Sequence, residues 1–323
     1  MSPPQSASIS ELRPAFSRYS KGKEPFGLYE APRYLISGDE YLMVELGDRL
    51  NIIVNCKAIE FANLLKQANV LGVNEICVGQ LSVLIHYDSL ATSLEPLIES
   101  LKEAYGNLSP VEDMVLPSRV IEVPVVFHDR WTRECTEDYS RTIKPTEDNC
   151  EILIKYNGLR DLDDLIEHTC APEHWISNLG WMPGNANGFP LDPRYEIRAP
   201  KYNPSRTWTY EGTLGVGTGD KVIYPLRSAG GYQMIGRTPI RVYDPKQRNP
   251  AFRDSFLLPK VGDRMKFYPI TEEEYFKIAD KVDDRYRYRI RSTCLFSVKR
   301  YLSFLNAVAK EAEEIRMTKP WAT

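Results

Sequence analysis

The chain has 323 residues, of which 42% are hydrophobic and 26% are charged, and its formal net charge is -3. This length accommodates two compact domains. The near-neutral charge gives no general reason to expect nucleic acid or an acidic membrane as a partner. No stretch approaches the roughly 18 uninterrupted apolar residues of a membrane span, and the N-terminus lacks the features of a signal peptide. The 6 scattered cysteines, none in a C-x-x-C pair, favour a cytoplasmic protein with reduced thiols.

The first third of the chain predicts an arm followed by a small α+β domain. Residues 1–30 are rich in serine and proline and are predicted to be an N-terminal arm. Residues 31–115 are predicted to form the domain, because two strands in "YLISGDEYLMVELG" precede a helix over 58–68, a hairpin in "VNEICVGQLSVLIHY" and a second helix from Leu94. The stretch "RVIEVPVVF" is predicted to add a closing strand to this sheet of four or five strands.

The remainder of the chain has a different sequence pattern from that of the first third. Residues 116–290 contain short apolar runs broken by glycine and proline, which predict an all-β barrel or sandwich. Asp161 is predicted to cap a short helix, and Thr271 with Glu274 forms a capping box that opens another. The "RYRYRIR" stretch at 285–291 is typical of an exposed edge strand, with phosphate or RNA binding as the alternative.

Residues 291–323 are predicted to be a C-terminal helical extension. The helix has one apolar stripe, which must be covered either by this chain or by another subunit. The stripe consists of Leu295, Val298, Leu302, Leu305 and Ala309.

Residues 228–239, "SAGGYQMIGRTP", hold the first candidate for a binding site. The alternation around Tyr232 predicts a strand, and Gly230 and Gly231 before it allow a close approach of backbone to a ligand. Arg237 carries five donors suited to a carboxylate or phosphate, or it ties the strand end to a neighbouring loop.

Several motifs in one order resemble a known family. They are "SGDEYLMVELGD", "IEHTCAPEH", "LGWMPG" and "GTLGVGTGDKVIYPLRSAGGYQMIGRTP", and together they cover roughly residues 34–275. The chain resembles the KipI family, also called allophanate hydrolase subunit one or the carboxyltransferase-domain B subunit, as a divergent member. The family includes the B subunit of the bacterial 5-oxoprolinase and a domain of urea carboxylase.

The resemblance implies an α+β fold, in which a small N-terminal domain precedes a cyclophilin-like β-barrel. It implies no cofactor bound by a motif of this chain, with ATP or carboxybiotin reaching it through a partner. That partner would be a related second subunit, KipA-like, unless the chain forms a homo-oligomer. KipI itself is an inhibitor of a sensor kinase, so the fold alone does not fix an activity.

The resemblance also implies a pocket at the end of the barrel, where this chain departs from the family in informative ways. Asp220 and Lys221 stand where the family pattern Gly-Gln-Thr-Gly has its glutamine and threonine, and Asp220 is therefore a candidate general base, with Lys221 or Arg237 holding developing negative charge. If the loop faces solvent, the two are only a turn pair. The predicted substrate-binding residues are Arg237, Tyr232, Gln233, Gly230, Gly231, Asn185, Asn187, Gly217 and Thr218.

One cluster of potential metal ligands is predicted not to bind a metal. His168, Cys170, Glu173 and His174 lie close in sequence, but the two histidines have the wrong spacing for one helical face and Pro172 interrupts them. We therefore predict no metal, and His168 is a candidate general acid–base or a histidine that bonds backbone. No Walker loop or G-x-S-x-G elbow is present in the sequence.

These observations lead to one main hypothesis and two alternatives. The main hypothesis is a pocket enzyme, or the enzyme subunit of a pair, acting on an amide, urea, lactam or related carbonyl compound by hydrolase or carboxyltransferase chemistry. One alternative is a stand-alone barrel enzyme, a lyase, isomerase or cyclase, that rearranges a metabolite. The other is a KipI-like regulatory protein that binds a partner.

Overall fold

A computed structural model describes residues 12–14 and 27–322, and the chain divides into two compact units. The first unit comprises residues up to Leu116 together with Phe296–Arg300, and the second comprises Pro117–Leu295 and the residues from Tyr301 onward. In the part that is described, no helix is long and apolar enough to cross a membrane.

The first unit is a five-stranded sheet with two helices, and the sequence predicts both helices and all of the strands except β1. The strand order is β1-β2-β3-β5-β4, with β1 parallel to β2 and the other pairs antiparallel. The elements are β1 (Leu12–Pro14), β2 (Leu28–Ile36), β3 (Tyr41–Gly47), α1 (Ile52–Ala68), β4 (Val73–Val78), β5 (Ser82–Tyr87) and α2 (Leu94–Gly106).

Local sequence explains where these elements begin and which face they bury. The Asn51 side chain accepts a hydrogen bond from the backbone N–H of Ile53 at 2.7 Å and so caps α1 six residues before its predicted start. On β3, Leu42, Val44 and Leu46 alternate with more exposed residues and are completely buried. Because β3 is a central strand, these side chains form the core beneath α1.

The second unit is built on a closed barrel of seven strands, which confirms the predicted fold class. The order is β12-β10-β11-β9-β8-β13-β7, and β7 pairs again with β12 to close the ring. The barrel strands are β7 (Val120–Phe127), β8 (His174–Leu179), β9 (Ala186–Pro190), β10 (Thr213–Val216), β11 (Lys221–Ile223), β12 (Gln233–Arg237) and β13 (Arg264–Pro269).

The remaining elements of the chain lie before, between or after the barrel strands in the sequence. The short strands β6 and β15 form a separate two-stranded sheet, and β14 pairs with the first part of β7. These elements are β6 (Val115–Pro117), α3 (Arg130–Thr142), α4 (Asn149–Asn157), α5 (Leu162–Cys170), α6 (Glu272–Ala279), β14 (Ile290–Arg291), β15 (Leu295–Ser297) and α7 (Val298–Thr318).

Both predicted helix caps of the second unit are confirmed. Asp161 accepts from the backbone N–H of Asp164 at 2.9 Å at the start of α5, and Thr271 and Glu274 form the reciprocal capping box of α6. The sequence analysis did not find α3 and α4. The buried face of α3 consists of Thr132, Cys135, Thr136 and Tyr139, so it lacks the large aliphatic residues by which a helix is usually found in a sequence.

Three predictions of local structure are wrong. The "RVIEVPVVF" stretch is β7 and belongs to the barrel, because it pairs in parallel with β13. Most of "RYRYRIR" is not a strand: only Ile290–Arg291 pairs, while Tyr286 and Tyr288 pack against the barrel core. Leu295 precedes α7 and is 65% exposed, so it is no part of a buried stripe. The predicted arm lies largely outside the described residues.

Candidate active site

A cavity of about 480 Å³ lies beside β9 and β11 of the second unit. Val222 lines it, whereas Ile223, the next residue of β11, belongs to the barrel core. Successive side chains of a strand point to opposite faces of the sheet. The cavity is therefore on the outer face of the barrel wall, and this replaces the predicted pocket at the end of the barrel.

The polar side chains of this cavity include three amides, two phenols and a serine hydroxyl. They belong to Asn178, Asn185, Asn187, Tyr224, Tyr232 and Ser205. Lys201 supplies a positive charge, with its ammonium nitrogen 4.9 Å from the centre of the Tyr232 ring. The lining contains no carboxylate. A ligand that offers both carbonyl acceptors and N–H donors, and that tolerates a nearby cation, fits this set of groups.

Asp220 lies behind the cavity wall and holds two of its lining residues. Its Oδ2 accepts a hydrogen bond from Asn187 Nδ2 at 2.5 Å and another from the Tyr232 hydroxyl at 2.8 Å. Asp220 is only 3% exposed. Burial and the adjacent carboxylate both raise the pKa of Tyr232, which therefore remains a phenol at neutral pH.

A chain of weaker contacts extends this network along the wall. The Ser177 hydroxyl donates to Asn178 Oδ1 at 2.9 Å, and Asn178 Nδ2 lies 3.4 Å from Asn187 Oδ1. Because the Asn187 amide is fixed by Asp220, its oxygen faces Asn178 and the orientation of both amides is set. The wall is thus preorganised before a ligand arrives.

Glycines are required at two positions of the wall. A Cβ on Gly217 would lie 2.6 Å from Asp220 Oδ1 and 2.7 Å from the Tyr232 ring, so both side chains occupy the space of the missing methyl group. A Cβ on Gly230 would overlap the Tyr224 hydroxyl. By contrast, the nearest atom to a Cβ on Gly231 would be the Ser205 hydroxyl at 3.2 Å, with other atoms at 3.6 Å or beyond, and Gly231 presents bare backbone to the cavity.

The predicted substrate-binding residues divide into two groups. Five of them line the cavity and four do not. Those in the lining are Asn185, Asn187, Gly230, Gly231 and Tyr232. Of the others, Gly217 lies under Tyr232, Thr218 is exposed, and Gln233 is buried with its Nε2 donating to the carbonyl of Pro200 at 2.8 Å.

Arg237 is placed away from this cavity. Its Nε donates to the carbonyl oxygen of Glu211 at 2.8 Å, and its guanidinium lies 4.8 Å from the centre of the Trp131 ring and 5.1 Å from that of Tyr210. These contacts are those of an arginine that ties a strand end to its surroundings, the alternative left open by the sequence. The proposed role of Arg237 in this pocket is therefore withdrawn.

His168 is also remote from the cavity lining. Its Nδ1 lies 2.9 Å from the backbone oxygen of Asp164, the residue one turn earlier in α5. Burial lowers its pKa, with partial compensation by that backbone bond. This is the backbone-bonded histidine that the sequence left as an alternative. The described residues hold no group of three or more His, Cys, Asp or Glu side chains placed to bind a metal ion.

Lys221 does not face the cavity, although its neighbour Asp220 supports the wall. Lys221 is completely buried on the same face of β11 as Ile223, inside the barrel. Burial lowers its pKa to about 8, against the opposing influence of Asp220 and Glu196. Two adjacent residues that the sequence assigns to one catalytic loop are therefore separated by the barrel wall.

Sequence reasoning missed eight lining residues, among them Asn178, Trp181, Lys201 and Tyr224. Trp181 is 68% exposed and has a backbone φ of 71°, a left-handed conformation that is unusual for a bulky residue. Its ring centre is 6.4 Å from that of Tyr224. The "LGWMPG" motif contains Trp181, but nothing in the sequence indicates that its indole projects beside the cavity.

Comparison with known proteins shows which family has this architecture. Residues 32–253 match the family described as carboxyltransferase domain, subdomain C and D. The chain belongs to this family. It is 30% identical over 281 residues to the urea amidolyase of Saccharomyces cerevisiae, covering 85% of this chain and 15% of that protein. It is 24% identical over 257 residues to the 5-oxoprolinase B subunit of Bacillus subtilis, covering 75% of this chain and 95% of that protein.

Solved structures support the same relationship. The urea carboxylase of Kluyveromyces lactis superposes with a TM-score of 0.81 at 25% identity, covering 92% of this chain and 27% of that protein. The urea amidolyase of K. lactis gives a TM-score of 0.81 at 26% identity over 89% of this chain and 18% of its own. This carboxyltransferase-type chain thus spans less than a third of the length of either solved relative.

Proposed function

We propose that this chain is the substrate-binding part of a carboxyltransferase-type enzyme and that its outer-wall cavity binds a small lactam, urea or amide. The observation that carries the proposal is the convergence of Asn178, Asn185, Asn187 and Tyr232 on one cavity that lacks a carboxylate. Urea amidolyase and the 5-oxoprolinase B subunit, two relatives of this chain, are named for substrates of this chemical type.

The charge and size of the cavity favour a lactam acid over urea itself. At about 480 Å³ the cavity exceeds what a molecule of four heavy atoms would fill. Lys201 at its edge provides a partner for a carboxylate, while the asparagine amides provide donors and acceptors for a ring amide. These features support a compound such as 5-oxoproline.

The site chemistry supports binding and orientation more than it supports a complete reaction by this chain. Asp220 does not line the cavity and accepts hydrogen bonds from Tyr232 and Asn187, which do, so we propose that it positions these two groups. We further propose that ATP-dependent activation or a carboxyl group on biotin comes from a second subunit. Mass spectrometry of proteins that co-purify with the chain from its native source would identify that subunit.

A binding measurement with paired ligands tests the proposal. We expect 5-oxoproline and its uncharged analogue 2-pyrrolidone to bind in calorimetric or ligand-observed NMR titrations. Gly231→Val should weaken both by about tenfold or more, because its methyl groups enter the cavity. Lys201→Met should weaken only 5-oxoproline, by about fivefold, as expected for a partly exposed ion pair.

Thr218→Val is the matched control, since Thr218 is exposed and outside the lining. Its affinities should equal those of the unmodified protein. Unchanged affinity of both ligands in Gly231→Val would show that they bind elsewhere, and equal losses for both ligands in Lys201→Met would refute recognition of a carboxylate by that ammonium.

A further inference from the structure

Two basic side chains in the barrel interior have unsatisfied hydrogen-bonding groups. Lys221 and His174 are both 0% exposed. Within the described parts of the chain, Lys221 Nζ makes no hydrogen bond, and neither ring nitrogen of His174 makes one that meets normal distance and angle limits. Buried polar groups of this kind are rare, and each requires a physical explanation. Nothing in the proposed function of the outer-wall cavity uses these two residues.

Lys221 and His174 lie on the two strands that flank β9, on either side of Gly188. Gly188 of β9 pairs directly with Lys221 of β11, and β8, which carries His174, pairs with the other edge of β9. A Cβ on Gly188 would lie 3.3 Å from His174 Cβ and 3.5 Å from the Lys221 carbonyl oxygen. The Met265 methyl group, the end of a flexible side chain, occupies the space beside Gly188.

Electrostatics keep His174 uncharged near neutral pH and allow Lys221 to lose its proton near pH 8. Burial holds the pKa of Lys221 at about 8, although Asp220, Glu196 and Cys170 act in the opposite direction. Burial and the nearby charges of Lys221 and Lys266 hold the pKa of His174 well below its usual range, with a nearby Met265 backbone group opposing the shift. The interior therefore contains a neutral imidazole and an amine of which a substantial fraction is neutral at pH 8.

A neutral amine is a nucleophile, so the relevant question is which electrophile can reach it. Lys221 lies among apolar side chains of the barrel core, and a charged reagent would have to lose its hydration to enter. Carbon dioxide is small, uncharged and apolar as a whole. It can enter such an interior through the ordinary fluctuations of the packed side chains.

We propose that Lys221 is a site of reversible carbon dioxide addition and that His174 takes up the released proton. The lone pair of Nζ forms the N–C bond while one C–O π pair moves to oxygen, and one N–H proton leaves. The products are a lysine carbamate with charge -1 and an imidazolium with charge +1. No oxidant, reductant or other reactant is needed, and the net charge of the interior is unchanged.

The adduct also explains the unsatisfied groups. A carbamate has two oxygen acceptors and keeps one N–H donor, and an imidazolium has two N–H donors. Formation of this pair converts isolated buried polar atoms into an opposite-charge, hydrogen-bonded pair. Met265, which lies against Gly188, is the side chain that moves to admit the added atoms.

The test uses ¹³C-labelled bicarbonate with the full chain at pH 8 and ¹³C NMR detection. We expect a carbamate signal from Lys221 that is absent in Lys221→Met and that falls more than tenfold at pH 6.5 when the dissolved carbon dioxide concentration is held equal, because the amine is then protonated. Any carbamate formed by other amines of the chain appears in both proteins and serves as an internal reference. Gly231→Val, which alters only the outer cavity, should retain the Lys221 signal, so this proposal and the proposed function fail separately.

Two further measurements test the role of His174 and locate the carbamate in the sequence. In His174→Phe we expect the Lys221 signal to fall by about tenfold, because the proton acceptor is lost, and an unchanged signal would refute the role of His174. Alkylation of the labelled carbamate followed by peptide mapping locates it in the unmodified protein, whether or not Lys221→Met folds. Absence of a mass increment on the peptide containing Lys221 would overturn the proposal.

Discussion

Asp220→Asn tests whether one buried carboxylate organises the outer-wall cavity. In the native structure Asp220 Oδ2 accepts from both Asn187 and Tyr232, and the Asp220 side chain is almost completely shielded from solvent. The asparagine is nearly the same size, but its oxygen is uncharged. The substitution therefore changes the strength of two hydrogen bonds while it preserves the packing against Gly217.

The expected magnitude follows from these two contacts. A hydrogen bond to a charged group stabilises by about 1.5–3 kcal/mol and a neutral one by about 0.5–1.5 kcal/mol. Weakening both bonds of Asp220 costs about 2–3 kcal/mol, and the relief of burying a charge offsets part of this. We expect a net loss of about 1–2 kcal/mol in the free energy of unfolding, with weaker ligand binding because Asn187 and Tyr232 are no longer held.

Urea denaturation followed by tryptophan fluorescence provides the assay. All 5 tryptophans belong to the second unit, so the signal reports the unit that contains the cavity. Tyr232→Phe removes one of the two bonds, and the double variant with Asp220→Asn completes a cycle. Since the two residues touch, we expect a coupling energy of about 1 kcal/mol.

Two results would refute this reasoning. The first is a stability of Asp220→Asn equal to that of the unmodified protein, together with a coupling energy below about 0.3 kcal/mol. The second is full stability and full ligand affinity combined with lost turnover. That result would assign Asp220 a direct catalytic role, as the sequence predicts, instead of a positioning role through Tyr232 and Asn187.

Three other substitutions give distinct outcomes. In buffer free of carbon dioxide, Lys221→Met should raise the unfolding free energy at pH 7 by about 3 kcal/mol, since the pKa of Lys221 is lowered from 10.5 to about 8. The unmodified protein should gain stability as pH rises from 8 to 10.5, because over this range Lys221 keeps its proton only in the unfolded state. Lys221→Met should show no such gain, and parallel pH profiles of the two proteins would contradict this reasoning. Trp321→Phe should cost about 1 kcal/mol in urea denaturation by removing the 2.9 Å bond from Nε1 to Asn157 Oδ1, and no loss would show that this bond contributes nothing. Arg237→Met should lower stability by about 1–2 kcal/mol without changing ligand affinity in titration, and a loss of affinity would return Arg237 to the site.

The sequence alone determined the class of fold and many of its local structures. The hairpin of β4 and β5 follows from alternating side chains around a turn, and the capping box of Thr271 and Glu274 follows from spacing along the chain. The glycine pair before Tyr232 indicated a ligand-accessible backbone, and Gly230 and Gly231 do line the cavity. Such features depend on neighbours in sequence, which is why they can be predicted without a tertiary structure.

Only the tertiary structure decided which side of the barrel wall each candidate residue faces. Asp220, Lys221 and Val222 are all at most 3% exposed, so the segment shows no alternation of apolar and polar residues that would distinguish its faces. The pleat of the strand then sends Lys221 into the barrel and Val222 into the cavity. Lys201 and Trp181 reach the same cavity from other loops, and β8 and β11 bring His174 and Lys221 to the two sides of β9. These contacts join residues far apart in sequence, and they exist because the barrel closes.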